Sequence, residues 1–237
     1  MPLSPLPHLR GLVLAAGSGS RMGGPKALLR PGGDGPTLVE RAVRVLVEGG
    51  CDGVTVVVGA AADEVAAVLT ALTRVAPSST GPRTEPEPND GDDVTDLDVV
   101  ECPDWSEGMG ASLRAGLAAL LPRHDVEAVV ITLVDLPDVG PEVVRRLLGA
   151  DPAVTTTTTP AMTSTARGWS TELSRAAYGG VPGHPTLIGR NHWQGVLTVA
   201  RGDRGARDYF RTHTHALVEC GDLASGRDVD SPADLDR

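Results

Sequence analysis

The sequence predicts a three-layer α/β/α sandwich built on a mostly parallel sheet. Three observations carry the prediction. Short apolar or β-branched runs alternate with stretches of helical periodicity from Gly11 to the helix opened by Pro141, giving the β-α-β-α order of strands joined by right-handed crossovers. The runs Val54–Val58 and Ala128–Val134 carry no charge, as strands covered on both faces do. Aromatic residues make up only 3% of the chain, so the core must be packed from small aliphatic side chains, which suits helices laid on a sheet.

Each element has its own signal. Gly11–Ala16 is an apolar run read as the first buried strand, with glycines directly behind it. Thr37-Leu38-Val39-Glu40 spells a capping box, and the helix behind it runs to about Glu48 and stops at Gly49-Gly50. Val54–Val58 is the second strand, and a helix opens at Asp63 and ends near Val75. Residues 77–96 are rich in Pro, Ser, Gly and acid with almost no large apolar side chain, which predicts a disordered surface insertion. The strand Asp98–Cys102 and the helix Gly110–Leu121 follow. Ala128–Val134, the most apolar run, belongs at the sheet centre, and Gly140-Pro141 starts a helix with proline at its first position. Thr155–Thr159 before Pro160 reads as a loop or an irregular edge strand without functional meaning, and the elements shorten from Ala176 onward. No internal repeat or boundary divides the chain, so residues 1–237 are expected to form one domain.

Composition excludes several functions. The net charge is −10 with no basic run, so a nucleic-acid surface is not expected, and an anionic nucleotide would need a local positive pocket and a divalent metal. No run approaches the ~18 apolar residues of a membrane span, and Met1–Arg10 has no apolar core of signal-peptide length. Cys51, Cys102 and Cys220 lack metal-site spacing, and such an odd, scattered set fits a reducing cytoplasm.

The loop after the first strand concentrates the chemistry. Gly17, Gly19 and Gly23 let a backbone turn sharply and bring its N–H groups close to a phosphate. Arg21 and Lys26 add two cations, and Lys26 is the one lysine among 21 basic residues. An ordinary surface turn is the alternative reading. A P-loop is ruled out, because Pro25 precedes Lys26 and Ala27 stands where a Ser or Thr is needed. The glycines give G-x-G-x-x-x-G, one residue longer than the dinucleotide fingerprint, which leaves a nicotinamide enzyme as a minor alternative. Asp135, at the end of the most apolar strand, faces the same carboxyl-end crevice and is either a magnesium ligand or a helix cap.

These residues resemble the N-terminal signature L-A-A-G-x-G-x-R-M-G-x-x-K of the nucleotidyltransferases similar to the molybdenum-cofactor enzymes. Blocks at 104–117, 134–137, 183–185, 202–207 and 228–235 follow in that family's order over nearly the whole chain. The resemblance implies a Rossmann-like nucleotidyltransferase fold. It also implies transfer of a nucleoside monophosphate from an NTP to a phosphorylated acceptor, with release of pyrophosphate and use of Mg²⁺. On this basis Leu14, Ala15, Ala16, Gly17, Gly19 and Gly23, with Gly110 and Ser112, are expected to bind the nucleotide. Arg21, Lys26 and Asp135 are expected to be catalytic. Asp230 is expected to join Asp135 at the metal, chosen over Asp228 because Asp230-Ser231-Pro232-Ala233-Asp234 matches the spacing of a D-T-P-E-D block. Cys102 stands where the family usually has asparagine. Ala15-Ala16-Gly17 looks more like the cytidylyltransferase branch, so CTP and a molybdopterin acceptor are favoured, with GTP second. A non-catalytic nucleotide-binding partner of a molybdoenzyme is a further alternative. His184 reads either as a substrate-side residue or a turn residue, and Asp203–Arg207 either as an acceptor-phosphate contact or a solvated helix start. His213 and His215, on an expected strand, receive no metal.

Overall fold

The computed structural model describes residues 8–31, 33–74, 96–149, 168–230 and 234. A seven-stranded sheet runs through them in the order β3-β2-β1-β4-β6-β5-β7. Its strands are β1 (His8–Leu14), β2 (Gly53–Val58), β3 (Leu97–Glu101), β4 (Val126–Leu133), β5 (Leu173–Tyr178), β6 (Val181–Gly189) and β7 (Ala216–Glu219). The first four pair in parallel; β6 is antiparallel to both β4 and β5, while β5 and β7 are parallel. The fold is therefore the mostly parallel Rossmann-like arrangement that the sequence predicts, with β4 at its centre.

Strand alternation builds the three layers. In β1 and just beyond it, Val13 and Ala15 face one core while Leu12, Leu14 and Ala16 face the other. The first core is closed by α1 (Leu38–Glu48), α2 (Ala62–Arg74) and α4 (Pro141–Leu147). The second is closed by α3 (Met109–Leu120), α5 (Arg190–Val199) and α6 (Arg207–Thr212), with fully buried Trp193 at its heart. At the start of α1 the capping box forms as read: the Glu40 carboxylate accepts from Thr37 N at 2.7 Å, and Thr37 Oγ1 accepts from Glu40 N at 3.3 Å. Gly50, at φ 108°, then turns the chain toward β2.

Element boundaries move by small amounts, with identifiable causes. β1 begins earlier than expected because Asp52 accepts from Leu9 N at 2.7 Å and because Arg10, although charged, is buried in the sheet. Arg10 reaches Val54 O at 3.0 Å, Thr55 Oγ1 at 3.1 Å and Asp98 at 2.6 Å, and it also pairs with Asp96. The shortening expected from Ala176 onward is found in α6, of six residues, and β7, of four, but not in the first elements of this stretch. A six-residue β5 and a nine-residue β6 form a hairpin there instead. His213 caps the end of α6 and His215 precedes β7, so neither lies on a strand. Of the insertion expected at 77–96, only Asp96 lies among the described residues, and the Thr155–Thr159 run lies outside them. No helix among the described residues is long and apolar enough to cross a membrane.

Candidate active site

The carboxyl ends of β1 and β4 deliver the first groups. Behind Leu14 the chain enters the loop through Ala15, whose N–H donates to Val57 O at 2.9 Å. Gly19 sits at φ 59°, and a Cβ on it would collide with the Gly24 carbonyl, so only glycine closes this loop. The short turn Lys26–Leu28 is pinned by buried Ala27, which leaves the Lys26 side chain free to cross the crevice. From the other side Asp135 follows β4, and its carbonyl accepts from Val229 N at 2.9 Å. That bond holds the extended segment 228–230 beside it. Val229 points into the fold, so Asp228 and Asp230 share the outer side.

The three groups meet at one point. Lys26 Nζ donates to Asp135 Oδ2 at 2.7 Å and to Asp230 Oδ1 at 3.0 Å. Burial alone would lower the Lys26 pKa, but the hydrogen bond and charge of Asp135, then those of Asp230, outweigh it and hold the ammonium above the usual lysine value. Beside this triad lies a cavity of about 300 Å³, walled by Leu14, Ala16, Gly17 and Gly19 on one side and by Trp105, Met109 and Ser112 on the other. Lys26 and Asp135 line it as well. Not every residue expected at the nucleotide reaches that wall. Ala15 is buried, Gly23 serves the turn at φ 76°, and Gly110 is packed against the backbone of Arg201. Arg21 lies on the turn Ser20–Met22. Cys102 is buried and within hydrogen-bonding reach of the Ser112 hydroxyl; burial pushes its thiol up, against bonds from the Asp104 backbone and Ser112.

A second cavity of about 350 Å³ shares Leu14, Met109, Leu133 and Asp203 with the first. Its polar face is made by Arg175 on β5, His184 and Thr186 on β6, and Arg207 at the start of α6. Burial, then the charge of Arg207, lowers the Arg175 pKa. Burial, then Arg175 and Arg207, pushes His184 down to about 4, so it is neutral at physiological pH. Sequence reasoning missed Arg175. Its one signal was a charge inside an apolar strand, Leu173-Ser174-Arg175-Ala176-Ala177, the same signal that Arg10 carries for a purely structural reason. Among the described residues no group of three or more His, Cys, Asp or Glu is arranged to hold a metal.

Fold and cavity together define the class: a Rossmann-like α/β domain with the nucleotidyltransferase fold. Residues 11–217 match the MobA-like NTP transferase domain, and the chain belongs to that family. Its curated relatives include the nicotine blue oxidoreductase of Paenarthrobacter nicotinovorans, 34% identical over 95% of this chain and 94% of that one. Among solved structures it is similar to Rv0371c from Mycobacterium tuberculosis H37Rv, with a TM-score of 0.62 and 28% identity over 97% of this chain and 96% of that one. The same protein in complex with manganese aligns at a TM-score of 0.54 with 27% identity, covering 90% and 87%. A nucleotidyl transferase from Methanothermobacter thermautotroptrophicus shares the fold at a TM-score of 0.63 and 21% identity, over 96% and 94%.

Proposed function

We propose that this protein transfers a nucleoside monophosphate from an NTP, with CTP favoured, to a phosphate-bearing acceptor, releasing pyrophosphate. The observation that carries the reading is Lys26 held between Asp135 and Asp230 at the edge of a glycine-walled cavity. Backbone N–H groups of the Gly17–Gly19 loop, with Lys26 and Arg21, would hold the phosphates and offset the charge that develops on leaving pyrophosphate. A phosphate nucleophile, with a second pKa of ~6, is already ionised at neutral pH. No general base is then required, in keeping with a first cavity that has neither His nor Cys on its wall. The acceptor implied by the family resemblance is molybdopterin, and a molybdoenzyme would then receive the product.

The donor set fits magnesium. Asp135 and Asp230 offer two hard carboxylate oxygens that converge on a single cation, the Lys26 ammonium. Mg²⁺ typically binds through one or two carboxylates and takes its other ligands from phosphates and water. Bound by Asp135 and Asp230, it would supply positive charge to the phosphate oxygens. The manganese complex of Rv0371c supports divalent-metal use within such folds.

One observation favours a second reading, hydride transfer from a nicotinamide cofactor. The relative from Paenarthrobacter nicotinovorans, similar along almost the full chain, is named an oxidoreductase. A single experiment separates the two: pyrophosphate release and thermal shift measured with CTP, GTP, ATP and UTP, and thermal shift with NADH and NADPH, each with and without Mg²⁺. A magnesium-dependent shift with one NTP, followed by acceptor-dependent pyrophosphate release, is the expected result. A shift with NADPH alone, indifferent to magnesium, would replace transfer with reduction.

A further inference from the structure

The second cavity has a charge arrangement that the phosphate and metal roles proposed for the first do not explain. The chain carries 31 acidic residues against 21 basic ones, yet two arginines face this cavity unpaired. Among the described residues no carboxylate lies within ion-pair distance of Arg175 or Arg207, although Asp203 and Asp228 stand on the same wall. Neighbouring Arg204, by contrast, is paired with Asp208 at 3.1 Å.

Arg175 is also held in place. Its Nε and Nη2 donate to Gly183 O at 3.4 and 3.3 Å, and its guanidinium lies 5.1 Å from the centre of the Phe210 ring. A guanidinium has five N–H donors, and those not used on Gly183 have no protein partner among the described residues. Two like charges facing one space repel each other, and placing them there costs free energy unless an anion joins them. A planar guanidinium matches an oxyanion in a two-pronged geometry, which an ammonium does not.

Size and lining define the rest of the ligand. A volume of about 350 Å³ exceeds what a lone phosphate fills, and it lies in the range of small-molecule sites. Apart from Asp203, Arg204 and Asp228, the wall has an apolar part to which Leu113, Ile131, Leu133, Leu136 and Phe210 contribute.

We propose that the second cavity is an oxyanion receptor, in which Arg175 and Arg207 clamp a phosphate or carboxylate group of the second substrate while its apolar body rests on Leu133, Leu136 and Phe210. The ligand is the acceptor if the transfer reading holds, and only in that identification does the inference rest on it. Binding, unlike turnover, tests the cavity by itself.

The experiment is calorimetric titration of the full-length chain with phenyl phosphate, benzoate, inorganic phosphate and phenol. The variants are wild type, Arg175→Gln, Arg207→Gln and Lys26→Met. Phenyl phosphate should bind more tightly than inorganic phosphate, and phenol should not bind. Tighter benzoate binding would equally support the clamp and identify the oxyanion as a carboxylate. Each arginine variant should weaken binding at least ~10-fold, as expected for losing a charge-assisted pair, whereas Lys26→Met should retain it. Arg207 is exposed, so its variant is expected to fold, and the ligand-free melting temperature checks this. Binding lost in Lys26→Met and kept in both arginine variants would overturn the proposal by seating the anion in the first cavity. No binding of any oxyanion would overturn it outright, whatever the nucleotide experiment shows.

Discussion

Lys26 touches two carboxylates that come from segments 95 residues apart in sequence. Removing its ammonium leaves Asp135 and Asp230 facing each other, but Asp230 is half exposed to water, which screens their repulsion. Lys26→Met should therefore keep the fold while lowering single-turnover pyrophosphate release by ~10²–10³, the usual cost of losing one electrostatic contact to a reacting group. Lys26→Arg should not restore the rate, because a planar fork cannot occupy the same point between two acids. Near-normal release from Lys26→Met would remove the lysine from the chemistry. At His184 the prediction concerns stability. The groups around it are Arg175 from β5, Arg207 from α6, the Tyr178 hydroxyl, which donates to the His184 carbonyl at 2.6 Å, and Asp228 on the cavity wall. Its pKa falls from 6.5 to about 4 on folding. Between these values the unfolded chain binds a proton that the folded chain does not. Stability from this residue is thus complete above 6.5 and is lost as pH falls toward 4, at up to ~1.4 kcal/mol per pH unit. Urea unfolding at about pH 7 and about pH 5 should show this extra loss in wild type and not in His184→Gln; parallel losses would mean that His184 titrates normally.

Between elements, the junction of α3 with the turn Gly202–Arg204 shapes both cavities. A Cβ on Gly110 would stand 2.7 Å from Arg201 N, and one on Gly108 would meet Asp203. The missing Cβ at these two glycines therefore makes room for the 201–203 segment. Gly110→Ala should cost ~1–3 kcal/mol in chemical denaturation, since the obstacle is main chain that cannot rotate aside. Gly17→Ala is the comparison: a Cβ there meets nothing within 4 Å, so stability should hold while the first cavity narrows. Equal stability of the two variants would show that the 201–204 turn yields freely. This junction also marks how far the sequence was legible. Uninterrupted apolar or β-branched runs made β2 and β4 readable as strands buried on both faces, and the capping box made α1 readable. Lys26, Asp135 and Asp230 were legible because residue type and motif spacing carried them. The β5–β6 hairpin was not, since Arg175 interrupts the apolar run of β5 and β6 opens with the polar-looking Val181-Pro182-Gly183-His184. Arg175 and the packing role of Gly110 depend on segments that meet only in three dimensions, and no local spacing encodes them.

For the whole molecule, ligand binding and stability are one equilibrium. A ligand that binds only the folded chain, present at 100 times its dissociation constant, adds ~2.7 kcal/mol. For a chain of 237 residues each kcal/mol moves the melting temperature by roughly 2–4 °C, so a magnesium–NTP complex should raise it by about 5–11 °C. The net charge of −10 works against a bare triphosphate, so most of that rise should require magnesium. Asp135→Asn keeps the size and hydrogen-bonding capacity of the side chain while removing its charge, and it should abolish the magnesium-dependent part. Asp230→Asn should reduce it, because Asp230 shares the same ammonium and therefore the same point in space. Asp228 faces the second cavity instead, so Asp228→Asn should keep the magnesium-dependent shift. If Asp228→Asn removes the shift and Asp230→Asn does not, the metal sits at the second cavity and not beside Lys26. The proposed phosphate contacts of Lys26 and Arg21 would then act without a metal between Asp135 and Asp230.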